Sequence, residues 1–178
     1  MDDEQPEQKL TETQFADIVR ELSGPLLLYA RQLCRHPEDV VQEALLSLRL
    51  EPIAPRNTRT WLFRVVRHGA LNNLRGEERR RKHESQFGHE RPAWFESNSS
   101  PLDISEAVAA LEGLPDEERE TIVARLWGEL TLNEIAVLTD TSLATAQRRY
   151  VRGLEKLRDA LQVEPCRGWK PLRRNHEQ

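Results

Sequence analysis

The sequence predicts an all-α protein of two small helical domains joined by a flexible linker, the C-terminal one containing a helix-turn-helix. Three observations carry that expectation. Apolar residues recur at helical spacing in both halves, with no alternating strand of useful length and no internal repeat. Capping residues, prolines and glycines mark helix starts and stops throughout. A stretch over residues 84–100, holding Gly88, Pro92, Ser97, Asn98, Ser99 and Ser100, breaks the pattern once. The 178 residues are 38% hydrophobic and 31% charged, enough for small units that each bury one stripe rather than one thick core.

The first domain is expected over residues 10–83. Thr11 followed by Gln14 has capping-box spacing, and Phe15, Ile18, Val19 and Leu22 follow at helical intervals. Gly24-Pro25 is expected to bend or interrupt this helix, which then resumes from Leu26 to Cys34. Pro37 suits the first turn of a second helix, with Glu38 and Asp39 at its positive end. Its stripe is Val40, Val41, Ala44, Leu45 and Leu48, and Glu51-Pro52 ends it. A third helix is expected from Thr58 to about Lys82, with Trp61, Leu62, Val65, Val66 and Leu74 inward.

After the linker, residues 101–162 form the second domain. A short helix is expected from Pro101 to Leu111. Another begins with Pro115, Asp116, Glu117 and Glu118 in its first turn and closes at Gly128. Thr131 and Glu134 form a second capping box, opening a short helix to Leu138. Ser142 caps the last long helix, which runs to about Leu161. The tail, residues 163–178, is basic and expected to be mobile.

Charge alternates along the chain. Residues 1–51 hold 5 Lys/Arg against 11 Asp/Glu, residues 52–92 hold 10 against 4, residues 93–145 hold 2 against 11, and residues 146–178 hold 9 against 4. The net charge of −4 therefore hides two basic blocks able to face a polyanion.

Several classes drop out. No apolar run of about 18 residues exists, so no membrane insertion is expected. The start, Met1-Asp2-Asp3-Glu4, is the opposite of a basic, apolar secretory signal. Cys34 and Cys166 lie far apart, so a reducing cytoplasm is the expected location. No P-loop, GxSxG, HExxH or dinucleotide glycine motif is present, and no enzyme activity or cofactor is expected. The scattered Cys and His residues lack paired-ligand spacing, so no metal is expected.

The chemistry-bearing motif is TLNEIAVLTDTSLATAQRRYVR, Thr131 to Arg152. Short helix, tight turn and longer helix have helix-turn-helix proportions. Ala136 is small where the helices cross, and Ile135, Leu138, Leu143 and Ala146 are expected to face inward. Asp140 occupies the turn where glycine is common, and Asp tolerates a left-handed backbone better than most residues. Thr145, Gln147, Arg148, Arg149 and Arg152 are left for base edges and phosphates. A second basic element, WLFRVVRHGALNNLRGEERRRKH, places Trp61, Arg64, Arg67, Asn72, Asn73 and Arg75 ahead of an arginine cluster. Aromatic, amide and guanidinium groups together suit melted strands, whose bases can be stacked or pocketed.

Together these segments resemble the sigma-70 family. HPEDVVQEALLSL with PRNTRTWLFRVVRHGALNNLRGEERRR looks like region 2, and LPDEERETIVARLWGELTLNEIAVLTDTSLATAQRRYVRGLEKLR looks like region 4. Their order, with no region 3 between them, resembles the extracytoplasmic-function (ECF) group. The resemblance covers about residues 12–161. It implies a transcription initiation factor that binds core RNA polymerase and recognises promoter DNA, duplex at −35 and melted at −10. Asp39, Gln42 and Glu43 match the DxxQE segment that docks on the polymerase clamp. Trp61, Arg64, Arg67, Asn72 and Arg75 fall in the −10 segment. Ser142, Thr145, Gln147, Arg148, Arg149 and Arg152 fall in the −35 recognition helix. The chain departs from the family's common pattern at His68-Gly69 and at Ala146-Gln147, positions that bear on promoter sequence more than on fold. An anti-sigma partner is left open. The competing reading is a stand-alone helix-turn-helix regulator that does not need polymerase.

Overall fold

A computed structural model of the chain describes residues 9–83 and 103–161. Among these residues the structure is wholly helical, with seven α-helices. The expected linker, residues 84–100, and the tail, residues 163–178, lie outside the described residues.

α1 (Glu12–Arg31) starts at the expected capping box. The Gln14 N–H donates to Thr11 Oγ1 at 3.2 Å, and the Thr11 N–H donates to Gln14 Oε1 at 3.0 Å. Of the two outcomes expected at Gly24-Pro25, interruption does not occur: the helix runs through Pro25. Proline forfeits one intrahelical bond, but Leu22, Leu26, Tyr29 and Ala30 are buried along one face on both sides of it. That continuous burial holds the segment together.

α2 (Pro37–Leu50) has Pro37 in its first turn and buries Val40, Val41, Ala44 and Leu48, as the spacing predicts. α3 spans Thr58–His83. Asn57 caps it, Oδ1 accepting from the Thr60 N–H at 3.0 Å. Its inward set differs from the expected one. Leu62 and Val66 are buried, but so are Phe63 and Ala70, whereas Leu74 is exposed. The buried face is 62/63, 66 and 70. Trp61 and Val65 pack against the core while partly exposed. Where α2 and α3 cross, a Cβ on Gly69 would stand 3.1 Å from Val40 Cγ1, so this departure from the family pattern has a packing role.

α4 (Asp103–Glu112), α5 (Asp116–Leu126), α6 (Leu132–Leu138) and α7 (Leu143–Ala160) form a second bundle. The capping boxes and the Ser142 cap are formed as expected. The turn between α6 and α7 is a Schellman motif. Asp140 sits at φ 54°, the Thr141 N–H donates to Ala136 O at 2.8 Å, and the Asp140 N–H donates to Val137 O at 3.4 Å. Ile135, Ala136, Leu138 and Ala146 are buried, but Leu143 is exposed. As the first residue of α7 it stands at the rim of the helix crossing, and Ala146, one turn on, takes the inner position.

The α5–α7 crossing depends on Gly153. A Cβ there would approach Ile122 Cγ1 to 2.8 Å and Ile122 Cδ1 to 3.2 Å. Alanine gains about 1 kcal/mol of helix propensity over glycine, but overpacking costs typically 1–3 kcal/mol. Gly153→Ala should therefore lower stability by up to about 2 kcal/mol in urea denaturation. An unchanged or raised midpoint would mean that the α5–α7 contact is looser than the structure places it.

Candidate polymerase and nucleic-acid interfaces

The solvent face of α2 is acidic. Asp39, Gln42 and Glu43 are all exposed, and their three- and four-residue spacing puts them on one face. Sequence reasoning missed how this face continues. Leu46, at 54% exposure, and Leu50, at 77%, stand seven and eleven residues beyond Asp39, extending the same stripe, and Ile53 is exposed just past the helix end. The signal was the periodicity itself, in which Leu46 and Leu50 fall outside the buried positions of α2.

The basic face of α3 is divided. Arg64, Asn72 and Arg75 are exposed. The Asn72 side-chain amide lies 3.2 Å from His68 Nδ1, one turn earlier. Trp61 is half-buried, its body against the core. Arg67 is turned inward: its Nε donates to Glu120 Oε1 of α5 at 2.8 Å, leaving the side chain 25% exposed.

On α7, Ser142, Gln147, Arg148 and Arg152 are exposed and Thr145 is half-buried. The Thr145 N–H donates to Ser142 Oγ at 3.1 Å, and Arg148 donates to Thr145 Oγ1 at 3.1 Å. Arg148 and Arg152, four residues apart, therefore project together near the start of the helix. Arg149 faces elsewhere. It pairs with Glu117 of α5 at 2.6 Å and is 18% exposed, so it braces the bundle and is not grouped with the other candidates.

The two bundles pack on each other through α1 against α5 and α3 against α6. Sequence reasoning did not anticipate this contact. At its centre Tyr29 Oη donates to Glu120 Oε1 at 2.6 Å, the same oxygen that Arg67 reaches. Burial first, and then the charge of Glu120, push the Tyr29 hydroxyl well above its ordinary range, so tyrosine stays a neutral donor. Burial alone would lower Arg67, but the Glu120 carboxylate outweighs it and raises the guanidinium. Tyr29 and Phe63 are both fully buried, with ring centroids 5.0 Å apart. Phe63 in turn abuts Gly128, where a Cβ would stand 2.7 Å from its ring. A second contact uses Glu134 twice. Its Oε2 accepts from the Thr131 N–H at 2.7 Å in the α6 capping box, while Oε1 accepts from Thr60 and from Asn57 of the other bundle, each at 2.6 Å. Arg59 adds a bond to Gly128 O at 3.2 Å and an ion pair with Glu129 at 3.1 Å, and also pairs with Glu21.

A helix-turn-helix whose second helix carries exposed arginines, preceded by a bundle with its own basic helix, is an architecture of DNA-binding proteins. Family comparison narrows the class. Sigma-70 region 2 matches residues 18–80, and sigma-70, region 4 matches residues 110–159. The chain belongs to the sigma-70 family, with region 2 followed by region 4: a sigma factor, which directs RNA polymerase to promoters. The stand-alone regulator reading is thereby set aside, since it gives region 2 no task. No curated protein matches the chain. Among solved structures it is similar to the sigma factor RpoE from Bartonella quintana in complex with the anti-sigma factor NepR, at 19% identity and TM-score 0.70, over 87% of this chain and 100% of that one. It is also similar to CnrH in complex with the cytosolic domain of CnrY, at 21% identity and TM-score 0.55, over 87% of this chain and 92% of that one. At these identities the likeness is one of fold. Among the described residues no helix is long and apolar enough to cross a membrane.

Glu134 gives this arrangement a pH signature. Burial alone would raise its carboxyl, but the hydrogen bonds from Thr60, Thr131 and Asn57 outweigh that and hold it at about 2. A depressed carboxyl stabilises the fold above its unfolded value and loses that contribution as pH falls through the folded one. Glu134→Gln should therefore be less stable than wild type at neutral pH. The gap should narrow as pH drops below the ordinary carboxylate range and vanish near pH 2 in denaturation curves. A gap independent of pH would rule out the carboxylate as its source.

Proposed function

We propose that this sigma factor docks on core RNA polymerase through the acidic face of α2, with Asp39 and Glu43 meeting a basic surface and Gln42 hydrogen-bonding beside them. The observation that carries the assignment is the segregation of charge: these carboxylates stand one turn apart on a solvent face, while the cations assigned to DNA lie on α3 and α7. An acidic face repels phosphate and suits a basic protein surface, here the polymerase clamp. On the same reading α3 takes the melted −10 strand through Trp61, Arg64, Arg67, Asn72 and Arg75, combining stacking with guanidinium contacts. α7 enters the −35 major groove with Ser142, Thr145, Gln147, Arg148 and Arg152. Arg149, held by Glu117, supports the helix from behind. The functional units are a domain over residues 10–83 and another over residues 101–162, working in the cytoplasm where polymerase and promoters meet. An anti-sigma factor, the partner of the Bartonella protein, is the regulator class this reading carries over.

Reversing charge by Asp39→Lys with Glu43→Lys tests the docking assignment. Both positions face solvent, so circular dichroism should be unchanged and duplex DNA binding unaffected. Affinity for core polymerase should fall by about 2–4 kcal/mol. Core affinity within a factor of two of wild type, with the fold intact, would remove α2 as the docking face.

The recognition helix is tested by salt. Each phosphate contact contributes roughly −0.9 to the slope of log affinity against log salt. Arg148→Ala and Arg152→Ala should each weaken duplex binding and, where phosphate is the partner, make that slope shallower by about one unit. Unchanged affinity and slope in both variants would exclude this face of α7.

A further inference from the structure

Arg149 stands beside arginines assigned to the −35 duplex, yet its guanidinium is turned to α5. It pairs with Glu117 at 2.6 Å, while Arg148 and Arg152 face solvent. Two further residues of α7 meet the same helix. Gly153 is buried against Ile122, and Lys156 pairs with Glu118 at 2.8 Å. Positions 149, 153 and 156 are four and three residues apart, so they form one stripe along α7. The glycine sets how closely the two helices approach, and an ion pair stands on either side of it. We propose that Glu117 and Arg149 are positioning residues for −35 recognition. Their pair fixes the rotation of α7 about its axis, and with it where Arg148 and Arg152 point, without touching DNA. The inference rests on the reading of α7 as the −35 helix.

The leverage follows from helix geometry. Arg148 and Arg152 each precede a residue of the braced stripe by one position, about 100° around the axis. Side chains reach roughly 5–6 Å from that axis, so a rotation of about 20° moves their outer atoms by about 2 Å. A base-edge hydrogen bond tolerates only a few tenths of an ångström around its optimum. Such a turn forfeits base contacts, whereas phosphate contacts, which carry no sequence information, are held by charge and survive it. Hydrophobic burial holds α7 on its bundle without direction, but a guanidinium–carboxylate pair has a defined geometry. The anchoring end of the brace is itself fixed. Glu117 lies in the first turn of α5, which the nearly buried Arg119 ties down. Arg119 donates to Glu112 O and Leu114 O, each at 3.3 Å, and pairs with Asp116 at 2.5 Å. The Glu117 side chain is 69% exposed, so its pair contributes little to net stability and can be removed without unfolding the bundle.

The test uses the holoenzyme, the full chain with core RNA polymerase, on a duplex library randomised across a promoter-length window. Sequencing the bound duplexes reads base preference at −35 and at −10 in one experiment. Glu117→Gln keeps the side-chain shape and removes the charge. Arg149→Lys keeps a cation but loses the planar fork. Asp17→Asn, which removes an exposed ion pair with Arg20 on α1, is the control. Preference at −35 should fall about 3–10-fold in both pair variants. Preference at −10 should be unchanged, as should the thermal midpoint and the salt slope of binding to the best selected duplex. The control should match wild type throughout.

Wild-type −35 preference in both pair variants would overturn the inference. Equal flattening at −35 and −10 would overturn it too, since the pair would then serve only general stability. Tighter duplex binding by Glu117→Gln, with a salt slope steeper by about 0.9, would make Arg149 a phosphate ligand that Glu117 holds back, and not a positioning residue. Arg148→Ala combined with Arg152→Ala separates these failures from failure of the underlying reading. If that variant keeps wild-type −35 preference and affinity, α7 is not the −35 helix. If it loses them while the pair variants do not, α7 reads the duplex and the Glu117–Arg149 pair does not position it.

Discussion

A nearly buried carboxylate on α5 ties the molecule together. Glu120 cannot keep its charge out of water without donors, and its own bundle does not supply the two described here. They come from Tyr29 on α1 and Arg67 on α3. The shared oxygen thereby fixes how the two bundles meet, and it makes a cation of the basic helix part of the internal architecture. Charge pairs of this type contribute modestly to net stability when formed but are costly to break singly, so they define geometry more than they supply energy.

Glu134 plays the complementary part at the other end of the contact. It is needed locally, because the short helix α6 is only seven residues long and its orphan N–H groups require a cap. Its second oxygen is then free to accept from Thr60 and Asn57. Asn57 itself caps α3, so the start of the basic helix and the start of the helix-turn-helix are joined through two capping residues. Local helix punctuation and long-range docking share the same side chains.

The distribution of charge follows from this. Acids on α5 engage Arg67, Arg149 and Lys156, while Arg148 and Arg152 on α7 and Arg64 on α3 stay in solvent. The carboxylates of α2 remain outward on a face that ends in exposed leucines. A chain of slightly negative net charge thus presents two cationic surfaces and a separate acidic one. On the proposed reading, that separation lets one small protein meet both a polyanion and a basic protein surface without the two sites competing.

What the sequence determined alone was local. The capping boxes at Thr11/Gln14 and Thr131/Glu134, the Ser142 cap, the first-turn Pro37 and the apolar stripe of α2 involve partners within four residues, and spacing is enough to find them. The outward place of Asp39, Gln42 and Glu43 follows from that same periodicity, as do the exposed positions of Arg148 and Arg152. Burial that depends on a distant partner was decided by tertiary structure. Pro25 stays inside a continuous helix because both of its flanks are covered. Leu74 and Leu143 are exposed despite their apolar spacing, while Phe63 is buried between Tyr29 and Gly128 of the other bundle. Arg67 and Arg149 look alike in sequence to the solvent arginines beside them. Their carboxylate partners lie 53 and 32 positions away along the chain, and no periodicity within a helix records a contact made across the fold.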